Sequence, residues 1–128
     1  LLVEDVRVSQ KIANAALKRA HYRVELADDG ESAVDKYKKH MGTLKIVLMD
    51  INLPGMSGIE ATEQIRGYEE KEHHEPCVVL GLTGNVDEDN LVAYQQVGMD
   101  GCILKGKLLE ASVKQALTEL EARPDLFV

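Results

Sequence analysis

The chain has 128 residues, 45% of them apolar and 29% charged, and 15 Lys and Arg against 22 Asp and Glu give a formal net charge of −7. That length fits one core and leaves no room for two. The acidic balance argues against nonspecific binding to nucleic acid or an anionic membrane, because both need a positive patch that displaces counterions. No run of about 18 apolar residues, the length of a membrane span, is present; the longest runs are short pieces at 46–49 and 77–82. Leu1-Leu2-Val3 is too short for a signal peptide, and Glu4 and Asp5 follow at once. Cys77 and Cys102 do not make a disulfide framework, so a reducing, cytoplasmic setting is the expectation.

Strand-like and helix-like segments alternate through the chain. Residues 1–4 read as a strand that begins abruptly, as though trimmed, which favours excision from a longer protein. Residues 6–20 predict a helix in which Val8, Ile12 and Ala16 recur at four-residue steps with Leu17 beside them. A strand over 22–27 closes at the turn signal Asp28-Asp29-Gly30, and the helix over 31–41 carries Val34, Tyr37 and Met41 on one face. In the third strand, 45–50, the apolar run 46–49 lacks alternation, as in a strand covered on both faces of a parallel sheet. After the loop Leu53-Pro54-Gly55-Met56, Ser57 and Glu60 form a capping box. It opens a helix to about Tyr68, with Ala61, Ile65 and Tyr68 turned inward.

Residues 67–76 read as a charged connector, and its His73-His74-Glu75-Pro76-Cys77 end is a solvated loop rather than a soft-metal site, since no second ligand pair lies at tetrahedral spacing. Residues 77–82 form a fourth buried strand, broken by Thr83-Gly84-Asn85. A short helix over 87–97 has acids in its first turn and Gly98 at its C-terminal cap. The fifth strand, 100–104, ends at Lys105-Gly106. The last helix, 107–122, carries the stripe Leu109, Val113, Ala116, Leu117 and Leu120 and is stopped by Pro124.

Five β–α pairs in one chain imply a parallel sheet between two layers of helices, with right-handed crossovers. In such open sheets the working site lies beyond the carboxyl ends of the strands. The residues at those ends are Glu4 and Asp5, Asp50, Thr83 and Lys105. Carboxylates gathered there repel one another, and either raised pKa values or a cation in their midst relieves the repulsion. All-oxygen ligation suits a hard ion such as Mg²⁺, and a lysine ammonium with a threonine hydroxyl makes a receptor for phosphoryl oxygens. The set reads as Mg²⁺-assisted phosphorylation of an aspartate, with Asp50, alone at the end of the central strand, as the acceptor.

These residues, in this order and spacing, resemble a receiver domain of two-component response regulators. The matching stretches are Leu-Val-Glu-Asp at 2–5, Val-Leu-Met-Asp-Ile-Asn-Leu-Pro-Gly-Met-Ser-Gly at 47–58, Leu-Thr-Gly at 82–84 and Gly-Met-Asp-Gly-Cys-Ile-Leu-Lys at 98–105. The Met-Asp-Ile-Asn-Leu-Pro-Gly-Met wording is most similar to receivers attached to hybrid sensor histidine kinases. The resemblance implies a doubly wound, flavodoxin-like fold of five parallel strands in the order 2-1-3-4-5 with five helices. The receiver would span 1–122, with 123–128 as a tail. Asp50 would take the phosphoryl group from a histidine kinase or histidine phosphotransfer domain. Asp5, Asp50 and the backbone carbonyl of Asn52 would ligate Mg²⁺, with Glu4 acting through a metal-bound water. Thr83 and Lys105 would engage the phosphoryl group, and Asn52 and Asn85 would tune its hydrolysis. The expected activity is self-phosphorylation from a phosphodonor and slow autodephosphorylation, not conventional enzymology. The expected output face is helix four, strand five and helix five. No nucleic acid or membrane contact is expected of this domain, although it can belong to the cytosolic part of a membrane-anchored hybrid kinase.

Two positions depart from the family pattern. Cys102 stands where an aromatic or histidine switch residue is usual, so an output signal must rely on Thr83 and on backbone movement. Gly106 stands where proline is common and leaves the Lys105 loop freer. A degenerate receiver acting only as a binding module is therefore one alternative. An aspartate-nucleophile phosphatase is another, disfavoured because Asn52 stands where that chemistry needs an aspartate as general acid.

Overall fold

The uninterrupted apolar runs of the sequence lie at the centre of a five-stranded parallel sheet ordered β2-β1-β3-β4-β5. The computed structural model describes residues 1–84, 88–104, 111–115 and 118. Its strands are β1 (Leu2–Val3), β2 (Leu26–Ala27), β3 (Ile46–Asp50), β4 (Val78–Thr83) and β5 (Gly101–Leu104). The helices are α1 (Arg7–Arg19), α2 (Gly30–His40), α3 (Gly58–Lys71) and α4 (Glu88–Gln96), and residues 111–115 and 118 belong to a fifth, α5. The expected doubly wound order is the one observed, with β1 flanked by β2 and β3. The wording of the strands follows from the layering. Val3, Val47, Met49 and Val79 pack on one face with Ala33, Val34, Tyr37, Ala61 and Ile65 of α2 and α3. Leu2, Leu48, Leu80 and Leu82 pack on the other with Ala13, Leu17 and Val113 of α1 and α5. A strand that feeds two cores has no polar face, so its sequence does not alternate.

Local chemistry sets the element ends. Asp29 accepts a hydrogen bond from the Ser32 N–H at 2.7 Å and opens α2, and Ser57 Oγ accepts from the Glu60 N–H at 3.2 Å and opens α3. The α4 helix stops at Gly98, whose φ of +99° a side chain resists, with Met99 N–H closing back on Tyr94 O at 3.1 Å.

Four expectations need correction. Val8 and Ile12 do not face the core: they are 68% and 63% exposed, and α1 buries Ala13, Ala16 and Leu17 instead. Steps of four residues drift by about 40° around a helix, so the chain of fours from Ala16 back to Val8 walks out of the buried arc. The α3 helix runs through Lys71, past the expected end at Tyr68, because Glu69 in its last turn is buried and hydrogen-bonded. Residues 22–25 are not strand; β2 is an edge strand, and its ladder is only as long as the two-residue β1 beside it. The fourth strand begins at Val78 rather than Cys77 and includes Thr83. The expectations for Asn85, Lys105, Gly106, Leu109, Ala116, Leu117, Leu120, Pro124 and the 123–128 tail lie outside the described residues.

Candidate functional site

Parallel pairing brings the carboxyl ends of β1, β3 and β4 to one edge. Asp50 is in register with Leu82, one residue before Thr83, and Val3, the residue before Glu4, is in register with Met49. Asp50, Glu4 and Thr83 are buried there (1%, 3% and 5% exposed), whereas Asp5 is exposed. One carboxylate oxygen from each of Glu4, Asp5 and Asp50 falls within 4.8 Å of the others.

The surrounding backbone fixes these groups. The N–H of Val6 donates to Glu4 Oε1 and that of Asn52 to Asp50 Oδ1, both at 3.1 Å. The Gln10 amide donates to the Glu4 carbonyl at 3.1 Å and to Asp28 Oδ1 at 2.8 Å, tying the first turn of α1 to the ends of β1 and β2. Gly58 opens α3 directly against β3: a methyl group there would fall on the Asp50 carbonyl oxygen, well inside contact distance. Glycine at 58 therefore lets β3 and the following helix meet.

The three carboxylates fit a hard divalent cation. Their donors are all oxygen, two buried and one at the solvent boundary, which suits an ion that keeps some of its water. Thr83, the last residue of β4, stands on the same edge. Asn52 lies exposed in the loop after Asp50. Cys102 is half-buried in β5, in register with Gly81, and the place where a Cβ of residue 81 would lie is 3.4 Å from its Sγ. Burial pushes its thiol up from the ordinary value, which disfavours a reactive thiolate.

Sequence reasoning missed a second polar cluster at the opposite, amino end of β4 and β5. Arg66 of α3 donates to Gly98 O from Nε and Nη2 (2.9 and 2.8 Å), to Asp100 Oδ2 (3.0 Å), and from Nη1 to Glu69 Oε1 and Cys77 O (both 2.8 Å). Glu69 Oε2 accepts from the Tyr37 hydroxyl at 2.5 Å and the Cys77 N–H at 2.7 Å. Burial pushes the Glu69 carboxyl upward, but the hydrogen bonds from Tyr37, Arg66 and Cys77 outweigh it and hold it below its ordinary value. Burial raises Asp100 and pushes the Cys77 thiol up to about 12. The available signal was the three-residue spacing of Arg66 and Glu69, hidden because Glu69 sat in what read as a charged connector.

Comparison with known proteins agrees with this architecture. The model of the response regulator receiver domain matches residues 1–118. Hybrid signal transduction histidine kinase M of Dictyostelium discoideum is 36% identical over 94 residues, covering 71% of this chain and 4% of that protein. A solved structure of the Saccharomyces cerevisiae histidine phosphotransfer protein Ypd1 with the receiver domain of its downstream response regulator Ssk1 matches with a TM-score of 0.83. The identity is 28%, over 97% of this chain and 90% of that one. The CheX–CheY–BeF3–Mg²⁺ complex of Borrelia burgdorferi matches with a TM-score of 0.81 and 25% identity, over 94% of this chain and 86% of that one. The chain belongs to the response regulator receiver domains of two-component signalling. It spans a tenth or less of the length of the first curated relatives it matches. Among the described residues, no helix is long and apolar enough to cross a membrane.

Proposed function

We propose that this receiver accepts a phosphoryl group on Asp50 from a phosphohistidine. The observation that carries the reading is the meeting of Glu4, Asp5 and Asp50 at the carboxyl edge of the sheet, with Asp50 at the end of the central strand. A carboxylate oxygen of Asp50 attacks phosphorus and the P–N bond breaks. The imidazole nitrogen leaves with the electron pair, and an acyl phosphate remains on the protein. The Asn52 N–H, by holding Oδ1, sets the plane of the attacking carboxylate. Asp5, Asp50 and the Asn52 carbonyl would hold Mg²⁺, with Glu4 acting through a water, and the ion would supply neutralisation of the charge on the transferring group. Thr83 and Lys105 engage the transferred dianion, and α4, β5 and α5 carry the change outward. Asn52 and Asn85 set the lifetime of the acyl phosphate, and Cys102 leaves the output to Thr83 and the backbone.

The donor's docking face is the exposed side of α1. Val6 at the N-cap of α1 and Val8 and Ile12 within it are 50%, 68% and 63% exposed, an apolar patch on the helix that follows Asp5. The partner is a histidine kinase or histidine phosphotransfer domain.

The test is intact-protein mass after incubation with acetyl phosphate, with and without Mg²⁺, beside Asp50→Asn. The expected result is a Mg²⁺-dependent gain of one phosphoryl group, absent from the variant. Labelling that persists in Asp50→Asn would move the acceptor elsewhere, and no gain at all would leave a receiver that only binds partners.

A further inference from the structure

We propose that Arg66 is the fulcrum of the switch: it pins the C-terminal end of α4, so that activation tilts α4 about Gly98 and displaces mainly its N-terminal turn. The inference rests on Asp50 phosphorylation as proposed above and adds where the resulting motion begins and stops.

The geometry is one-sided. Five N–H groups of the Arg66 guanidinium are engaged with oxygen acceptors, and two of them converge on Gly98 O, the carbonyl that follows the last turn of α4. Asp100, two residues on, takes Arg66 and the Val79 N–H on the same oxygen, and its own N–H donates to Val79 O at 2.8 Å. The helix end is closed by the Met99 N–H on Tyr94 O and the Gly98 N–H on Gln95 O, at 3.1 and 3.0 Å. Gly98 also lets Arg66 come close, since a Cβ there would lie 2.9 Å from Arg66 Cγ and 3.0 Å from Nε. The anchor is itself rigid, because Glu69 joins Arg66 to Tyr37 of α2 and to the start of β4.

Two buried side chains add to the anchor. Among the described side chains of α4 and its cap, the buried ones are Tyr94 and Met99, at 8% and 5% exposure, both toward the pinned end. The solvent side of the helix runs through Asn90, Val92, Gln95 and Gln96, which are exposed, and Leu91 is half-buried. Thr83, buried at the carboxyl edge of the sheet, ends β4 on the side from which α4 begins. A force applied there reaches α4 from its start, opposite the end that is held by charge-assisted hydrogen bonds. Because Cys102 is too small to swing as a ring does, the backbone lever carries the signal.

Amide hydrogen exchange on the whole chain, with and without acetyl phosphate and Mg²⁺, tests this while intact mass reports labelling in the same samples. In the wild-type protein, exchange at 88–92 is expected to change at least fivefold on labelling, with 96–101 unchanged within twofold. In Arg66→Gln, 96–101 is expected to exchange at least tenfold faster before labelling and to respond to it, while Asp50 is still labelled. Asp100→Asn, which keeps the arginine, is expected to do the same more weakly and covers the case in which Arg66→Gln does not fold. Labelling with equal changes at both ends of α4 in the wild type overturns the fulcrum and leaves the phosphoacceptor standing. A quiet 96–101 in both folded variants overturns it as well. Absence of any labelling in the wild type overturns both.

Discussion

Glu69 is a buried carboxylate in the last turn of α3 whose two oxygens receive Tyr37, Arg66 and the Cys77 N–H, and its environment makes stability depend on pH. Its folded-state pKa is held below the ordinary 4.5, so its ionised form is favoured by folding. That contribution is fully present above pH 4.5 and is lost as pH falls through the depressed folded value. Asp100 on the same arginine works the other way, because burial raises it: its share of the acid dependence offsets Glu69 between its ordinary 3.8 and its raised folded value. Glu69→Gln is expected to lower stability at pH 7 by about 2–4 kcal/mol, since it leaves the largely buried Arg66 short of an anionic partner. It is also expected to flatten the loss of stability below pH 4.5. Urea unfolding at pH 7, 5 and 4 checks both, and parallel curves for the two proteins below pH 4.5 would remove Glu69 from the acid response.

At the scale of elements, α1 separates the packing role of a helix from the recognition role proposed for it. Its buried arc consists of Ala13, Ala16 and Leu17, small enough to bring the helix onto the sheet, while Val8 and Ile12 face solvent beside the acidic edge. Charged replacements there leave the core untouched. Val8→Asp with Ile12→Asp is therefore expected to change stability by less than about 1 kcal/mol and to leave labelling by acetyl phosphate as it was. Transfer from a phosphorylated histidine phosphotransfer protein, with Ypd1 as probe, is expected to slow at least tenfold. Equal slowing with both donors would place the defect at the site rather than at docking.

The same helix shows what a sequence can tell. The parallel sheet was legible in the alternation of elements and its strand order in the family resemblance, and the meeting of Glu4, Asp5 and Asp50 follows from that topology. The face of α1 was not legible: two exposed aliphatics at helical spacing read like core. Nor was the Arg66 cluster, since its partners Gly98 O and Cys77 O are backbone groups that no residue pattern encodes.

The whole molecule is polarised along its strands, with like charges gathered at the carboxyl edge and a satisfied ion-pair network at the amino end of β4 and β5. Folding brings Asp50 to the adjacent pair Glu4 and Asp5 in a chain that already carries a charge of −7, so the folded state alone presents three carboxylates fit to share a cation. An ion that binds only that state stabilises it by mass action. At tenfold above its dissociation constant the gain is about 1.4 kcal/mol, or roughly 4–7 °C in melting temperature for a domain of this size. Mg²⁺ is expected to give that rise, and Asp5→Asn, at the exposed corner of the cluster, is expected to abolish it. Arg66→Gln lowers the melting temperature from the other end of the sheet and keeps the Mg²⁺ increment, because sites with no shared partners add independently. If Mg²⁺ raised wild type and Asp5→Asn equally, the cation would be acting by general screening, and the three carboxylates would not be sharing it.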